Sequence, residues 1–151
     1  MPPIVIALVA FVAMEPLTAA THRWVMHGVG IALHRSHHRR LAARFEANDA
    51  FPVVFAALVC GLFALGLNLD GWSPVVPVAV GITLYGAAYA VVHDVYIHGR
   101  LRWFGDWRPA LLERLAAAHR LHHRFNAAPY GMLLPVVPRH VRERVASAPG
   151  T

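Results

Sequence analysis

Two neighbouring stretches of the sequence carry no charged residue, and each is long enough to cross a lipid bilayer as a helix. Residues 50–69 and 71–92 form runs of 20 and 22 residues, separated by Asp70. About 20 apolar residues, rising about 1.5 Å each, cross a hydrocarbon core roughly 30 Å thick. Residues 3–21 are also apolar apart from Glu15, and they lack the basic leader of a cleaved signal peptide. The sequence therefore predicts an all-α integral membrane protein with three transmembrane helices.

A fourth apolar stretch is too short to cross a bilayer. Residues 127–138 number only 12, and three of them are proline. We expect this stretch to be interfacial or re-entrant, with a shallow fourth insertion as the alternative. The chain has 151 residues and no low-complexity run or linker, so residues 1–151 are predicted to form a single membrane-embedded domain.

The basic residues predict the orientation of the protein in the membrane. All 14 are arginines; five lie between the first and second apolar stretches, and nine follow the third. The first group consists of Arg23, Arg35, Arg39, Arg40 and Arg44. If all three stretches cross, both groups emerge on one side, which the positive-inside rule makes cytoplasmic, with the N-terminus outside. This distribution favours a membrane protein over a nucleic-acid-binding protein despite the net charge of +6.

Ten of the eleven histidines form two copies of one pattern, HxxxxH followed by HxxHH. The first copy consists of His22, His27, His34, His37 and His38, and the second of His93, His98, His119, His122 and His123. Only His140 stands outside the pattern. Each copy begins where an apolar stretch ends, so all ten histidines are expected on the arginine-rich side, in a cytoplasmic cap of short helices.

The spacing within each pattern indicates which imidazoles can meet. Helical residues three and four apart share a face, so His34 is expected to meet His37 and His38, and each HxxHH run can offer two or three imidazoles to one centre. The HxxxxH residues are five apart, about 140° around an α-helix. We therefore expect His22 and His27 to serve different metals, or one of them to lie beyond the helix end.

The number of histidines predicts a dinuclear metal centre. Ten imidazoles exceed what one ion can bind, whereas two ions with four to six ligands each would use nearly all of them. Imidazole suits iron, zinc and copper, and the pattern does not separate these metals. A closed structural zinc site needs four ligands and usually recruits cysteine, but Cys60 is the only cysteine and lies within an apolar stretch. No glutamate is followed three residues later by histidine, which excludes the carboxylate-bridged di-iron proteins of the ferritin type.

Carboxylate and amide side chains beside the histidines are candidate supporting residues. Glu15 lies two helical turns before His22, about 10 Å away along a straight helix, so it cannot share the metal's ligand set. As an acid inside an apolar helix, it is expected to bond another histidine or to carry protons, the alternative being local satisfaction near Pro16.

Three further residues adjoin the histidine patterns and could orient the rings. Asp94 follows His93 directly, and Asn48 and Asp49 follow the first HxxHH run. We expect them to accept N–H hydrogen bonds from ligand histidines, which would fix ring tautomer and orientation. A helix cap or a solvated charge is the alternative for each.

The histidine motifs resemble those of a known enzyme superfamily. HRWVMH, HRSHH, HDVYIH and HRLHH match, in order, the histidine boxes of the membrane fatty-acid hydroxylase and desaturase superfamily. The short chain, the order of the four boxes and the segment FEANDAFPVVFAAL after the second box are similar to the bacterial beta-carotene hydroxylase family. The resemblance covers residues 14–126.

The resemblance implies a non-haem di-iron oxygenase of the bacterial inner membrane. Its expected reaction is hydroxylation of carbon 3 of the beta-ionone rings of a carotenoid taken from the bilayer, with dioxygen as co-substrate. All ten patterned histidines would be iron ligands or their immediate neighbours, with their division between the two irons left open. The sequence has no nucleotide fingerprint and no cysteines for an iron–sulfur cluster, so electrons are expected from a separate donor such as a ferredoxin.

Two alternatives stay open at this point. Another enzyme of the superfamily, a fatty-acid or sterol hydroxylase or desaturase, would use the same chemistry on a different lipid. A membrane metal transporter or metal-storage protein would prefer polar ligands in the middle of the membrane, whereas these histidines cluster at one end of the apolar stretches.

Overall fold

The computed structural model describes residues 1–39 and 45–147, and this part of the chain contains helices, turns and loops without a β-strand. Its α-helices are α1 (Pro3–Thr21), α2 (Ile31–His38), α3 (Ala50–Asn68), α4 (Val75–Ala90), α5 (Ala110–Phe125) and α6 (Arg139–Ala146). A π-helical segment extends α1 over His22–Val29, another extends α4 over Val91–Ile97, and a 3-10 turn at Ala47–Asp49 precedes α3. The prediction of an all-α protein is confirmed. Arg40 and Arg44, which entered the arginine count, lie outside the described residues.

Three continuous helical stretches are long and apolar enough to cross a bilayer, as predicted. They cover Pro3–Val29, Ala47–Asn68 and Val75–Ile97. Few side chains in these stretches are buried within the protein, which fits helices whose apolar surface faces lipid. The third stretch begins later than the charge-free run because Gly71 has a φ of 81°, a left-handed conformation that turns the chain back before Pro74.

The first span packs against the third through small residues. A Cβ atom on Gly81 of α4 would collide with the backbone carbonyl of Ala7 in α1. At the α3–α4 turn, a Cβ atom on Gly66 would likewise meet the side chain of Val76. Glycines at these crossings let the helix backbones approach closely, which is the usual packing of membrane helices. This contact holds the ends of α1 and α4, where both histidine patterns begin, side by side.

Burial is concentrated at the histidine end of the spans. The largest fully buried side chains are Tyr85, His34 and His122. A small apolar cluster of Val92, Leu115 and Met132 packs beneath the histidines and joins the third span, α5 and the loop after it. The only substantial core in the described residues therefore positions the histidines.

Residues 127–138 form an irregular loop rather than a helix. The loop follows α5 and lies against α1, where three of its backbone amides donate hydrogen bonds to Glu15. A fourth helical span is thus excluded at this position. The prediction that the loop is re-entrant is not tested. It is compatible with this geometry, because the Glu15 carboxylate accepts hydrogen bonds from three loop amides that would have no partner in lipid.

Candidate metal centre

The two HxxxxH pairs lie in π-helical segments, and this geometry brings the members of each pair together. Hydrogen bonds in a π-helix join residues five apart, as between the amide of His98 and the carbonyl of His93 at 2.9 Å. The ring centroids are 5.1 Å apart for His22 and His27, and 4.5 Å apart for His93 and His98. The expectation that the members of a pair serve different metals is wrong, because it assumed α-helical periodicity. His98 does lie just beyond its helix end, at the C-cap.

Five histidines lie together in a group that we call cluster A, and four of them, all except His38, share one centre. Its members are His22, His27, His34, His38 and His122. The Nε2 atoms of His22 and His34 are 3.1 Å apart, and those of His27 and His122 are 3.2 Å apart. The Nε2 atom of His38 lies 3.1 Å from that of His34 and 3.2 Å from that of His122. One ion at this point would meet four imidazole nitrogens, with His38 beside it as a further donor.

The other five patterned histidines lie together in a second group, cluster B, and four of them, all except His123, share one centre. Its members are His37, His93, His98, His119 and His123. The Nε2 atoms of His37 and His93 are 3.1 Å apart, as are those of His98 and His119. The Nε2 atom of His123 lies 2.8 Å from that of His119 and 3.2 Å from that of His37. The structure thus divides the ten histidines equally, which the sequence left open.

The HxxHH runs are shared between the clusters. In α2, His34 and His38 join cluster A while His37 faces cluster B. In α5, His119 and His123 join cluster B while His122 faces cluster A. The rings of His38 and His123 stack with centroids 4.5 Å apart, so the two clusters are direct neighbours. This arrangement suits two adjacent metal ions.

Four histidines are oriented by hydrogen bonds from the ring nitrogen that faces away from the cluster. In each case the Nδ1–H group is the donor. His22 donates to the Tyr130 carbonyl at 3.1 Å, and His122 donates to the Ala127 carbonyl at 2.7 Å. His34 donates to Asn48 Oδ1 at 2.8 Å, and His93 donates to Asp94 Oδ1 at 2.9 Å. A neutral imidazole that donates through Nδ1 carries its lone pair on Nε2. These bonds therefore set the tautomer and aim each lone pair into its cluster.

This tautomer makes cluster A fit a cation. The Nε2 atoms of His22 and His34 approach to 3.1 Å with a lone pair on each and no proton to share between them. Such a contact is repulsive unless a positive ion lies between the nitrogens. Imidazole nitrogen is a common ligand of iron, copper, nickel and zinc, so the donor set present fits a transition metal at each cluster.

The environment of the cap keeps the imidazoles neutral. Burial, together with the charge of neighbouring histidines, lowers the pKa of His38 to about 4 and the pKa of His98 and His123 to about 3. The same causes hold the pKa of His37 and His119 far below the ordinary value. Neutral imidazole is the form that binds metal, so near pH 7 these ligands need lose no proton before binding.

The hydrogen bonds expected at Asn48 and Asp94 are present, whereas Asp49 makes a different contact. Asp49 accepts a hydrogen bond of 2.7 Å from Arg100, and Arg100 also approaches Glu46 at 3.6 Å and Asp94 at 3.8 Å. Glu46 in turn lies 3.7 Å from Nδ1 of His37. Arg100 and Glu46 were not expected at the site from the sequence, because only the fold brings them beside cluster B.

Glu15 supports the site through a loop rather than through a histidine. Its carboxylate accepts a hydrogen bond of 2.6 Å from the hydroxyl of Tyr85 and others of 2.9 to 3.2 Å from three amides. Those amides belong to Met132, Leu133 and Leu134. Within the part of the chain that the structure describes, Glu15 makes neither the expected bond to a histidine nor a local bond near Pro16, and its role in carrying protons stays a prediction. His140 is exposed on α6 and belongs to neither cluster.

Comparison with known proteins places this arrangement among hydroxylases. The model of the family described as fatty acid hydroxylase matches residues 7–141. A beta-carotene hydroxylase of Pseudescherichia vulneris is 43% identical over 78% of this chain and 66% of its own length. A beta-carotene hydroxylase of Paracoccus sp. (strain PC1) is 42% identical over 77% of this chain and 72% of its own length. Beta-carotene 3-hydroxylase 1 of Arabidopsis thaliana, a chloroplastic protein, is 37% identical over 83% of this chain and 42% of its own length. The chain thus spans about two thirds of the bacterial relatives, and no solved structure matches it.

Proposed function

Because the chain belongs to the fatty acid hydroxylase family, we propose that it is a dinuclear non-haem iron oxygenase that hydroxylates carbon 3 of the beta-ionone rings of carotenoids. The observation that carries the proposal is the pair of five-imidazole clusters at one end of three apolar helices. The substrate follows from the relatives, which are named beta-carotene hydroxylases in both bacteria and plants. Beta-carotene would be converted to beta-cryptoxanthin and then to zeaxanthin.

Each cluster would hold one iron ion through its five histidines. The two ions, when bound, supply the redox chemistry with dioxygen that an unactivated ring C–H bond requires and that zinc cannot provide. The protein's part is to present neutral imidazoles in a fixed geometry. The carbonyls of Tyr130 and Ala127 and the side chains of Asn48 and Asp94 do this by holding the rings through Nδ1.

The location of the clusters suits a carotenoid. The histidines begin where α1 and α4 end, at one end of the membrane-spanning helices. A carotenoid is roughly as long as the hydrocarbon core is thick, about 30 Å, so one ring lies near the interface when the other end lies in the opposite leaflet. The substrate could therefore present its ring to the centre without leaving the bilayer.

Electrons would come from an acidic donor such as a ferredoxin with its reductase. An opening of about 310 Å³ beside His38 and His123, one ligand from each cluster, is flanked by Arg35 and Arg39. Positive charge around this opening would attract and orient an acidic donor, because complementary charge speeds docking. We place this side in the cytoplasm of a bacterial inner membrane, with the N-terminus outside, from the arginine distribution.

Pigment analysis tests the activity directly. Cells that make beta-carotene are expected to accumulate 3-hydroxylated carotenoids when they express this chain, and ¹⁸O from dioxygen rather than from water should enter the new hydroxyl group. Cells that express the His37→Ala variant serve as the control. Unchanged carotenoids would contradict the proposal. Hydroxylated or desaturated fatty acids or sterols in their place would favour the alternative that the family description suggests.

The alternative of a metal transporter or storage protein is disfavoured by the site. Both clusters lie at one end of the apolar helices, and eight of the ten patterned imidazoles share two centres there. A transport path would instead need polar groups distributed across the bilayer, and the middle parts of α3 and α4 carry no charged or histidine side chain.

A further inference from the structure

The two clusters differ in the charge of the groups that hold their ligands. In cluster A, the three histidines with an observed Nδ1 bond donate to neutral oxygens. The acceptors are the carbonyls of Tyr130 and Ala127 and the side-chain amide of Asn48. In cluster B, the observed partner is a carboxylate, since Asp94 accepts from His93 at 2.9 Å.

A second carboxylate also faces cluster B. Oε2 of Glu46 is buried, has no hydrogen-bond partner among residues 1–39 and 45–147, and lies 3.7 Å from Nδ1 of His37. The Glu46 side chain is only 15% exposed, so little water screens its charge. An ion in cluster B would therefore be bound by two imidazoles, those of His37 and His93, whose Nδ1 atoms each face a carboxylate.

Arg100 holds these carboxylates in place without neutralising them. Its guanidinium lies within 4 Å of three carboxylates, those of Glu46, Asp49 and Asp94. Three negative charges around one positive charge leave a surplus of two beside cluster B. The arginines at the opening do not create a comparable difference, because Arg35 and Arg39 adjoin one ligand from each cluster.

We propose that cluster B binds a divalent metal ion more tightly than cluster A, because Asp94 and Glu46, held by Arg100, make its imidazoles stronger donors. A carboxylate that accepts the Nδ1–H of an imidazole raises the electron density at Nε2, whereas a neutral carbonyl does so less. The inference rests on the proposed dinuclear centre and assigns unequal roles to its halves. Cluster B retains its ion, and cluster A is the half that loses metal first.

Stepwise metal binding tests this inequality without turnover. Metal-free protein in lipid nanodiscs is titrated with Co²⁺ under anaerobic conditions, and two dissociation constants are obtained from the visible spectrum. The wild type should bind two ions with distinct constants. Asp94→Asn removes the charge with little change in shape, and should weaken the tighter constant by about 10- to 100-fold while sparing the weaker one.

A matched variant applies the same reasoning to cluster A. Asn48→Asp places a carboxylate behind His34, in the position that Asp94 occupies behind His93. This change should tighten the weaker constant, so that the two constants approach each other. Glu46→Gln should act in the same direction as Asp94→Asn, and circular dichroism checks that each variant keeps its helix content.

The outcomes separate this inference from the proposed function. Binding of fewer than two Co²⁺ ions by the wild type would overturn the dinuclear centre itself. Two ions with equal constants, or a weaker constant that responds to Asp94→Asn, would overturn only the inequality. If Asp94→Asn does not fold, the inference is decided by Asn48→Asp, and an unchanged weaker constant in that variant contradicts it.

Discussion

His22 donates its Nδ1–H to the backbone carbonyl of Tyr130 at 3.1 Å, and this bond connects a histidine of the first motif to a loop more than 100 residues later. The Tyr130 ring also lies 5.5 Å from the rings of His22 and His122 and 5.4 Å from that of His27, measured between centroids. The loop therefore sets both the orientation and one wall of cluster A. Glu15 holds the same loop two residues further on, from within the first span.

Glu15 is expected to stabilise cluster A through this loop. Glu15→Ala removes the acceptor of three backbone amides and of the Tyr85 hydroxyl, each bond to a carboxylate contributing about 1.5–3 kcal/mol. The variant should melt at a lower temperature and lose metal from cluster A more readily than from cluster B.

Thermal unfolding and metal content measure these effects. Glu143→Ala is the control, because Glu143 is 61% exposed and forms a surface ion pair with Arg139 on the same helix, α6. Glu15→Gln keeps one acceptor oxygen and should fall between wild type and Glu15→Ala. Equal loss of metal from both clusters would contradict a role through the Tyr130 loop.

Single histidine substitutions should remove one ion rather than two. His122 is fully buried and contributes Nε2 to cluster A alone, so His122→Ala should abolish activity and lower the iron content from two ions toward one. His140→Ala should keep activity and both ions, because His140 lies on α6 away from the clusters. Elemental analysis of purified protein, together with pigment assays, measures both. Two ions retained in His122→Ala would place that residue outside the ligand set.

The histidines that form the two clusters were predictable from sequence, but their division between the clusters was not. The HxxHH spacing brings His34 and His38 together on α2 by α-helical periodicity, as predicted. His37, which was also expected to meet His34, stacks on its ring with centroids 5.4 Å apart but faces cluster B. The assignment of His22 and His27 failed because both occupy a π-helical segment, whose hydrogen bonds join residues five apart. Nothing in the local sequence marks this change of periodicity.

The groups that orient the ligands were only partly predictable, for a related reason. Asn48 and Asp94 are polar and close to the motifs in sequence, so their hydrogen bonds could be anticipated. The carbonyls of Tyr130 and Ala127 could not, because every residue has a carbonyl and only the fold selects which one accepts. The partners of Glu15 were missed because they lie at least 70 residues away in the chain.

The metal-free protein should lose stability as the pH falls below about 6.5. The cap histidines have a folded-state pKa below the unfolded value, reaching about 4 for His38 and about 3 for His98 and His123. Below pH 6.5 the unfolded chain therefore takes up protons that the folded chain excludes, which favours unfolding until the pH approaches those lower values.

Melting temperatures at pH 7.5, 6.5 and 5.5 measure this dependence in a range where ordinary carboxylates do not titrate. His38→Gln removes one of the titrating groups, and its melting temperature should fall less steeply with pH than that of the wild type. Bound metal should flatten the dependence, because the ion competes with protons for the same nitrogens. A melting temperature that rises on acidification would contradict the buried neutral imidazoles.

Topology follows from the arginines and the three spans. A reporter that is active only in the periplasm should be active when it is fused at residue 1 or at residue 72. A reporter that is active only in the cytoplasm should be active when it is fused after residue 151. An in-frame fusion within the α4–α5 connection, after Gly105, should also report the cytoplasm. Opposite signals on the two sides of α5 would mean that the histidine cap is divided by the membrane, which would be incompatible with the two clusters.

Electron delivery should depend on the arginines beside the stacked rings of His38 and His123. Arg35 is exposed at the opening next to these two ligands, so Arg35→Glu places a negative charge where an acidic donor would dock. We expect this variant to lower the rate of reduction by ferredoxin about 10-fold or more while the iron content and the rate with a small uncharged reductant stay unchanged. Arg142→Glu on α6 is the matched control and should leave the ferredoxin rate near that of the wild type.

Raising the ionic strength from about 0.01 to about 0.15 M shortens the Debye length from about 30 to about 8 Å, so the wild-type rate should fall with salt. The Arg35→Glu rate should depend on salt much less, and a similar rate loss in both charge-reversal variants would place the donor elsewhere on the basic surface.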